Sequence, residues 1–194
     1  MKRITLAALV LSVPFAAQAN LVTNGSFEDH GALANGNWGL FSSVPGWYAE
    51  ADLIEIGHGP LYGVTGFADR DVLELDANHN AKVSQDINLG LGSYQVSFDY
   101  AGRSGIALGS VSLDVLWNDV VVGSINPSSS AMTGWSGLVN VTSAGTNKLS
   151  FQGTGTDDSF GALVDNVQME AVPEPASIAT VAIGLAAILR RRKK

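Results

Sequence analysis

Tyr94, Val96, Phe98 and Tyr100 alternate with Gln95, Ser97 and Asp99, the period of two that marks a half-buried β-strand. Val111, Leu113, Val115 and Trp117 alternate in the same way with Ser112, Asp114 and Leu116. Asn118-Asp119 then offers a turn before Val120-Val121-Val122, which predicts a hairpin. Further strand-like pieces are Val72 to Leu75, the stretch holding Val83, Asp86 and Ile87, Leu138 to Val141, Lys148 to Phe151, and Ala162 to Met169. No segment between the two ends of the chain carries a helical stripe. Gly-rich breaks recur at Gly57 to Gly66, Gly102 to Gly109 and Gly153-Thr154-Gly155. About eight to ten short strands with such turns predict an all-β, antiparallel β-sandwich of the jelly-roll kind. The absence of a fixed internal period argues against a solenoid.

The two ends break this pattern. Lys2 and Arg3 precede an apolar run from Ile4 to Ala17, and Ala17-Gln18-Ala19 is a small-x-small site. Residues 1–19 therefore read as a secretory signal peptide cleaved between Ala19 and Asn20; the alternative is an uncleaved N-terminal anchor. The strand-rich domain spans 20–171. Residues 172–194 begin with Val172-Pro173-Glu174-Pro175, where two prolines impose an extended break. An uncharged, mostly apolar stretch of 14 residues follows, Ala176 to Leu189. As a helix it is about 21 Å long, short against a hydrocarbon layer of about 30 Å. The terminal cluster Arg190, Arg191, Arg192, Lys193 and Lys194 stays cytoplasmic by the positive-inside rule, which leaves the domain outside.

The chain has 194 residues and no Cys, which removes disulfides and thiolate chemistry. Its formal net charge of −7 conceals a segregation. The span 20–171 holds 17 of the 18 acids and only four basic residues, Arg70, Lys82, Arg103 and Lys148, for a net −13. Such a field repels phosphate backbones, so no nucleic-acid partner is expected. It suits divalent cations, neutral sugars or basic partners.

The tail, with Pro173-Glu174-Pro175, the short helix and the Arg cluster, resembles the PEP-CTERM sorting signal of Gram-negative bacteria. That resemblance implies an exosortase as partner, transient membrane contact through the helix, and delivery through the inner membrane to the cell surface or an exopolysaccharide matrix. The alternative is a plain C-terminal membrane anchor. A second resemblance covers the domain. Asn20-Leu21-Val22-Thr23-Asn24-Gly25-Ser26-Phe27-Glu28, the Pro45-Gly46-Trp47 step and Leu163-Val164-Asp165-Asn166-Val167 are similar to the opening, early turn and closing strand of galactose-binding-like jelly rolls. Several carbohydrate-binding modules share that fold. The fold does not settle the function.

In such jelly rolls the first and last strands often share a structural calcium. The resemblance thus implies Ca2+ held by Glu28 and Asp165, with further oxygens from Asp69 and Asp71. Calcium takes six to eight oxygen ligands. The alternative makes Glu28 a cap for backbone amides and Asp165 a solvated residue. Asp76-Ala77-Asn78-His79-Asn80 imitates the start of an EF-hand loop, but Ala81 and Ile87 stand where Gly and Glu are required, so it reads as a polar turn. Sugar binding needs aromatic faces. Trp47 and Trp117 read as core, while Trp38 and Tyr62 sit in polar, Gly-rich loops and are the candidate ligand-binding aromatics, or else plugs for a sandwich end. Catalysis has little support. His30, His58 and His79 are scattered, and Gly102-Arg103-Ser104-Gly105 has Ile106 where a nucleophile elbow needs Gly. The reading is a non-catalytic, exported surface or matrix protein whose domain contacts polysaccharide. A purely structural or protein-binding matrix component is the first alternative, and an accessory domain or weak glycoside-active enzyme the second.

Overall fold

A computed structural model of the chain describes residues 19–66 and 70–173. Most of the export signal, Asp69, and Glu174, Pro175, Arg190, Arg191 and Arg192 of the tail lie outside these residues. Two six-stranded sheets face each other. The first runs β1 (Asn37–Phe41), β4 (Ile54–His58), β5 (Asp71–Glu74), β12 (Leu163–Ala171), β7 (Gly92–Ala101), β10 (Thr133–Val141). The second runs β2 (Ser43–Val44), β3 (Trp47–Ala51), β6 (Lys82–Leu89), β11 (Gly145–Gly153), β8 (Leu113–Trp117), β9 (Val120–Ile125). Every pairing between these strands is antiparallel, so the expected all-β sandwich is the fold. No helix among the described residues is long and apolar enough to cross a membrane.

The alternation read from the sequence sorts the side chains between faces. Val96 and Phe98 of β7, Leu113 and Val115 of β8, and Leu149 and Phe151 of β11 all enter the core. Aromatic rings stack through its centre: Phe27 lies 5.3 Å from Trp47, Trp47 5.9 Å from Phe151, and Phe151 4.9 Å from Phe98. Trp47 and Trp117 are buried, as expected. Asn118 and Asp119 adopt positive φ of 49° and 64°, the pair of left-handed residues that a tight β8–β9 hairpin requires.

The opening motif is explained by where it lies. Residues 20–27 run beside β12, with Leu21 N–H donating to Met169 O at 2.9 Å and Val167 N–H to Gly25 O at 2.8 Å. A Cβ on Gly25 would sit 2.1 Å from the Val167 carbonyl oxygen, so only glycine permits this approach. Gln85 then acts as a substitute strand edge. Its Oε1 accepts from Thr23 N–H and its Nε2 donates to Thr23 O, both at 2.8 Å. Trp47 Nε1 donates to Asn24 O at 3.0 Å, tying the Pro-Gly-Trp step to the opening segment.

The outer face of the first sheet carries a second, smaller apolar cluster. Val72, Ala101 and Leu163 are covered there by Tyr62, Val64 and Met132. The roof is held by Ser104 N–H donating to Tyr62 O at 3.0 Å and Met132 N–H to Thr65 O at 2.9 Å.

Candidate functional site

Strand register places the sugar-candidate aromatics together on this outer face. Trp38 of β1 is opposite Gly57 of β4, and opposed residues in an antiparallel pair project to the same face. Gly57 has no side chain because the Tyr62 ring occupies the space: a Cβ there would lie 2.2 Å from Tyr62 Cε2. The guanidinium of Arg103 then covers Tyr62, 4.4 Å from its ring centre, and also lies over the Phe160 ring at 4.8 Å. The result is a strip in the order Trp38, Tyr62, Arg103, Phe160. Trp38 is 54% exposed and Phe160 39%, whereas the Tyr62 ring is covered and its hydroxyl donates to Glu55 Oε1 at 2.6 Å. Beside Arg103 is a shallow pocket of about 180 Å³, lined by Arg103, Ser104, Ser128, Ser129 and Ser130 among others. Of the two expected aromatics, Trp38 offers an open face and Tyr62 serves as the platform beneath Arg103. Arg103 and Phe160 were not foreseen. The available signal was the rarity of Arg103, one of four basic residues between 20 and 171.

Under the strip lie two carboxylates. Glu55 and Glu74 are directly opposed in the β4–β5 register, and both are buried. Glu74 accepts hydrogen bonds from the N–H groups of Gly161 and Asp76 and pairs with Arg103 Nη1 at 3.4 Å. Burial, then the neighbouring Glu55, pushes the Glu74 carboxyl up to about 7. Glu55 is raised as well, by burial first, against the hydrogen bond from Tyr62. These acids sit beneath Tyr62 and Arg103 rather than in an open cleft. Asp157 contacts His79 at 3.1 Å, and Asp158 accepts from Ser110 Oγ at 2.8 Å while its N–H donates to Asp76 Oδ2 at 2.9 Å.

The residues named for calcium have different neighbours. Glu28 Oε1 accepts from the N–H groups of Arg70 at 2.8 Å and Asp71 at 2.9 Å, which is the capping alternative. Asp165 is buried on β12 rather than solvated, and its Oδ1 accepts from Asn166 N–H at 2.6 Å. Asp71 Oδ2 meets His30 Nε2 at 2.7 Å, and its Oδ1 meets His58 Nδ1. Among the described residues, His30, His58 and Asp71 are the one group of three His, Asp or Glu side chains whose donor atoms lie within 4.8 Å of one another. Glu28, Asp71 and Asp165 do not form such a group. The two side chains that meet the Asp71 carboxylate are thus imidazoles, whereas calcium takes oxygen ligands. The histidines that look scattered in sequence meet because β4 and β5 pair His58 with Asp71, while the opening segment brings His30 over them.

Comparison with known proteins bears on the C-terminal tail and on the fold of the domain. Residues 171–193 match the PEP-CTERM protein-sorting motif, the mark of an exported, exosortase-sorted surface protein of Gram-negative bacteria. Two curated relatives are the multifunctional-autoprocessing repeats-in-toxin proteins of Vibrio cholerae serotype O1, 37% identical over 153 residues, and of Vibrio vulnificus, 34% identical over 151. Each match covers 76% of this chain, and the chain spans 3% of each relative's length. Similar solved folds include TmCBM61 in complex with β-1,4-galactotriose (TM-score 0.50, 13% identity, covering 79% of this chain and 99% of that one). The CBM22-1 xylan-binding domain of Paenibacillus barcinonensis Xyn10C is another (TM-score 0.50, 14% identity, 74% and 99%). The chain carries a PEP-CTERM protein-sorting motif behind a jelly-roll β-sandwich that is similar in fold to those two solved domains.

Proposed function

We propose that this is a non-catalytic surface protein that binds polysaccharide through the outer face of its first sheet and is delivered to the exopolysaccharide layer by exosortase sorting. The observation that carries the reading is the strip Trp38, Tyr62, Arg103, Phe160. It offers an apolar ring face at each end and a charged, serine-lined pocket beside the middle. Pyranose rings present apolar faces to aromatics and hydroxyls to such polar groups. The sorting motif on the same chain and the carbohydrate-binding folds similar to this one support the same conclusion.

The test is affinity electrophoresis of the exported chain through gels containing single polysaccharides, β-1,4-galactan and xylan among them. Retardation by at least one polymer is expected, weakened about tenfold in Trp38→Ala if one ring contact is worth roughly 1.4 kcal/mol. Retardation that is identical in Trp38→Ala would remove the strip as the binding face. A second reading, a protein-binding matrix component, is favoured by Val120, Val121 and Val122, which lie exposed on β9 at the edge of the second sheet. Unpaired apolar edges are templates for association. Absence of retardation by any polymer, with self-association that charged substitutions at Val120 or Val122 abolish, would select that reading.

A further inference from the structure

We infer that His30, His58 and Asp71 form a binding site for one borderline divalent transition ion of the zinc type, which staples the opening segment of the domain to its first sheet. The inference is independent of the polysaccharide reading. Three chain segments supply one donor each. His30 comes from the opening segment, His58 from the end of β4, and Asp71 from the start of β5. Their donor atoms lie within 4.8 Å of one another, close to the separation of up to about 4.4 Å that ligand distances of about 2.0–2.2 Å allow around a single ion.

The chemistry of the set is selective. Two imidazole nitrogens and one carboxylate oxygen suit zinc and its first-row neighbours, whereas calcium and magnesium favour oxygen alone. The side chains of His30, Asp71 and His58 are 3%, 2% and 12% exposed. His58 is the least covered of the three, so an entering ion or a fourth ligand such as water would reach the set from its side. Supporting contacts fix the donors. Glu28 Oε1 holds the Asp71 backbone N–H at 2.9 Å, and the His30 ring packs 5.8 Å from Phe41. Metal ligands are oriented by such outer partners. The domain's net −13 favours cation capture. With no Cys in the chain, a metal is the cross-link open to it. Such an ion would join residues 30, 58 and 71, which the fold otherwise connects through hydrogen bonds.

The test uses the full chain, purified without a polyhistidine tag, stripped with chelator and then titrated with Zn2+, Co2+ or Ca2+. One Zn2+ per chain is expected by elemental analysis, visible absorption bands are expected with Co2+, and a rise in Tm is expected with Zn2+ but not with Ca2+. His30→Gln and His58→Asn should each weaken binding by at least about tenfold, the lower end of what even a supporting partner costs. His79→Asn should leave binding unchanged, because His79 is exposed and bonded to Asp157 instead. Circular dichroism of each variant separates lost binding from lost folding, and the wild-type titration depends on no variant. Sub-stoichiometric Zn2+ with no change in Tm would overturn the inference and leave Asp71 as a hydrogen-bond acceptor between two histidines. Binding that survives both His30→Gln and His58→Asn, or a preference for Ca2+, would overturn it equally.

Discussion

Glu74 makes the stability of this domain depend on pH in a direction opposite to ordinary acid unfolding. Its side chain is fully buried on β5, beside Glu55, and the carboxyl is pushed from 4.5 up to about 7, chiefly by burial. In the unfolded chain it releases its proton near 4.5, while in the folded chain it keeps the proton to about 7. A raised carboxyl contributes full stability below 4.5 and loses it as pH climbs through the interval. At about 1.36 kcal/mol per pH unit, the interval from 4.5 to about 7 corresponds to about 3 kcal/mol. Glu55, also raised, acts in the same direction. Glu50 and Asp52 are lowered by their hydrogen-bond partners, against the opposing effect of burial. They exert the reverse slope at lower pH, below the usual carboxylate range. Urea unfolding followed by tryptophan fluorescence, at half-unit steps from pH 4.5 to 8, reads the slope. Wild type should lose at least about 3 kcal/mol across that range, and Glu74→Gln should be markedly flatter. The two Glu74 oxygens accept from the Asp76 and Gly161 N–H groups, so the glutamine NH2 must face one of these donors and the variant carries a pH-independent cost of about 1–3 kcal/mol. The diagnostic is therefore the difference in slope and not the offset. Parallel curves for the two proteins would refute the argument that Glu74 is held protonated by its burial.

Gly25→Ala places a Cβ 2.1 Å from the Val167 carbonyl oxygen and is expected to destabilise by about 1–3 kcal/mol, the usual cost of overpacking; a urea midpoint equal to wild type would show that the opening segment is not clamped to β12. Gln85→Ala removes both hydrogen bonds to Thr23 and should cost about 1–3 kcal/mol, with faster amide exchange at Thr23 as the local sign. Phe27→Ala empties the site beside Trp47 and should cost about 3–5 kcal/mol, read by the same denaturation assay. Trp38→Ala, on an exposed edge, should change stability by less than about 0.5 kcal/mol while weakening polysaccharide retardation, which separates binding from folding.

What was legible in the chain follows the range over which each signal acts. Alternation is local, so β7, β8, β11 and β12 are visible wherever Val, Phe or Leu repeats every second residue. β1 to β4 were all missed: Asn37-Trp38-Gly39-Leu40-Phe41 and Trp47-Tyr48-Ala49-Glu50-Ala51 lack a clean polar–apolar rhythm, β2 has two residues, and Gly57 of β4 reads as the start of a Gly-rich break. They are strands because neighbours pair with them. Asn24-Gly25 and Pro45-Gly46-Trp47 were legible as a family pattern, and the structure gives the pattern its cause: one hydrogen-bonded knot of Asn24, Trp47, Thr23 and Gln85. Chemistry that depends on sheet register left no local trace. His58 and Asp71 are 13 residues apart, and His30 is 41 from Asp71, spacings that match no metal motif. A strand pair converts the first separation into direct opposition, and the opening segment closes the second. The same logic made Arg103 look like a failed nucleophile motif, because its partners Tyr62, Glu74 and Phe160 are remote in sequence. In a sandwich of this kind, functional groups are assembled by which strands lie side by side. A sequence search for this site would therefore have to scan cross-strand partners of each buried acid rather than neighbours along the chain.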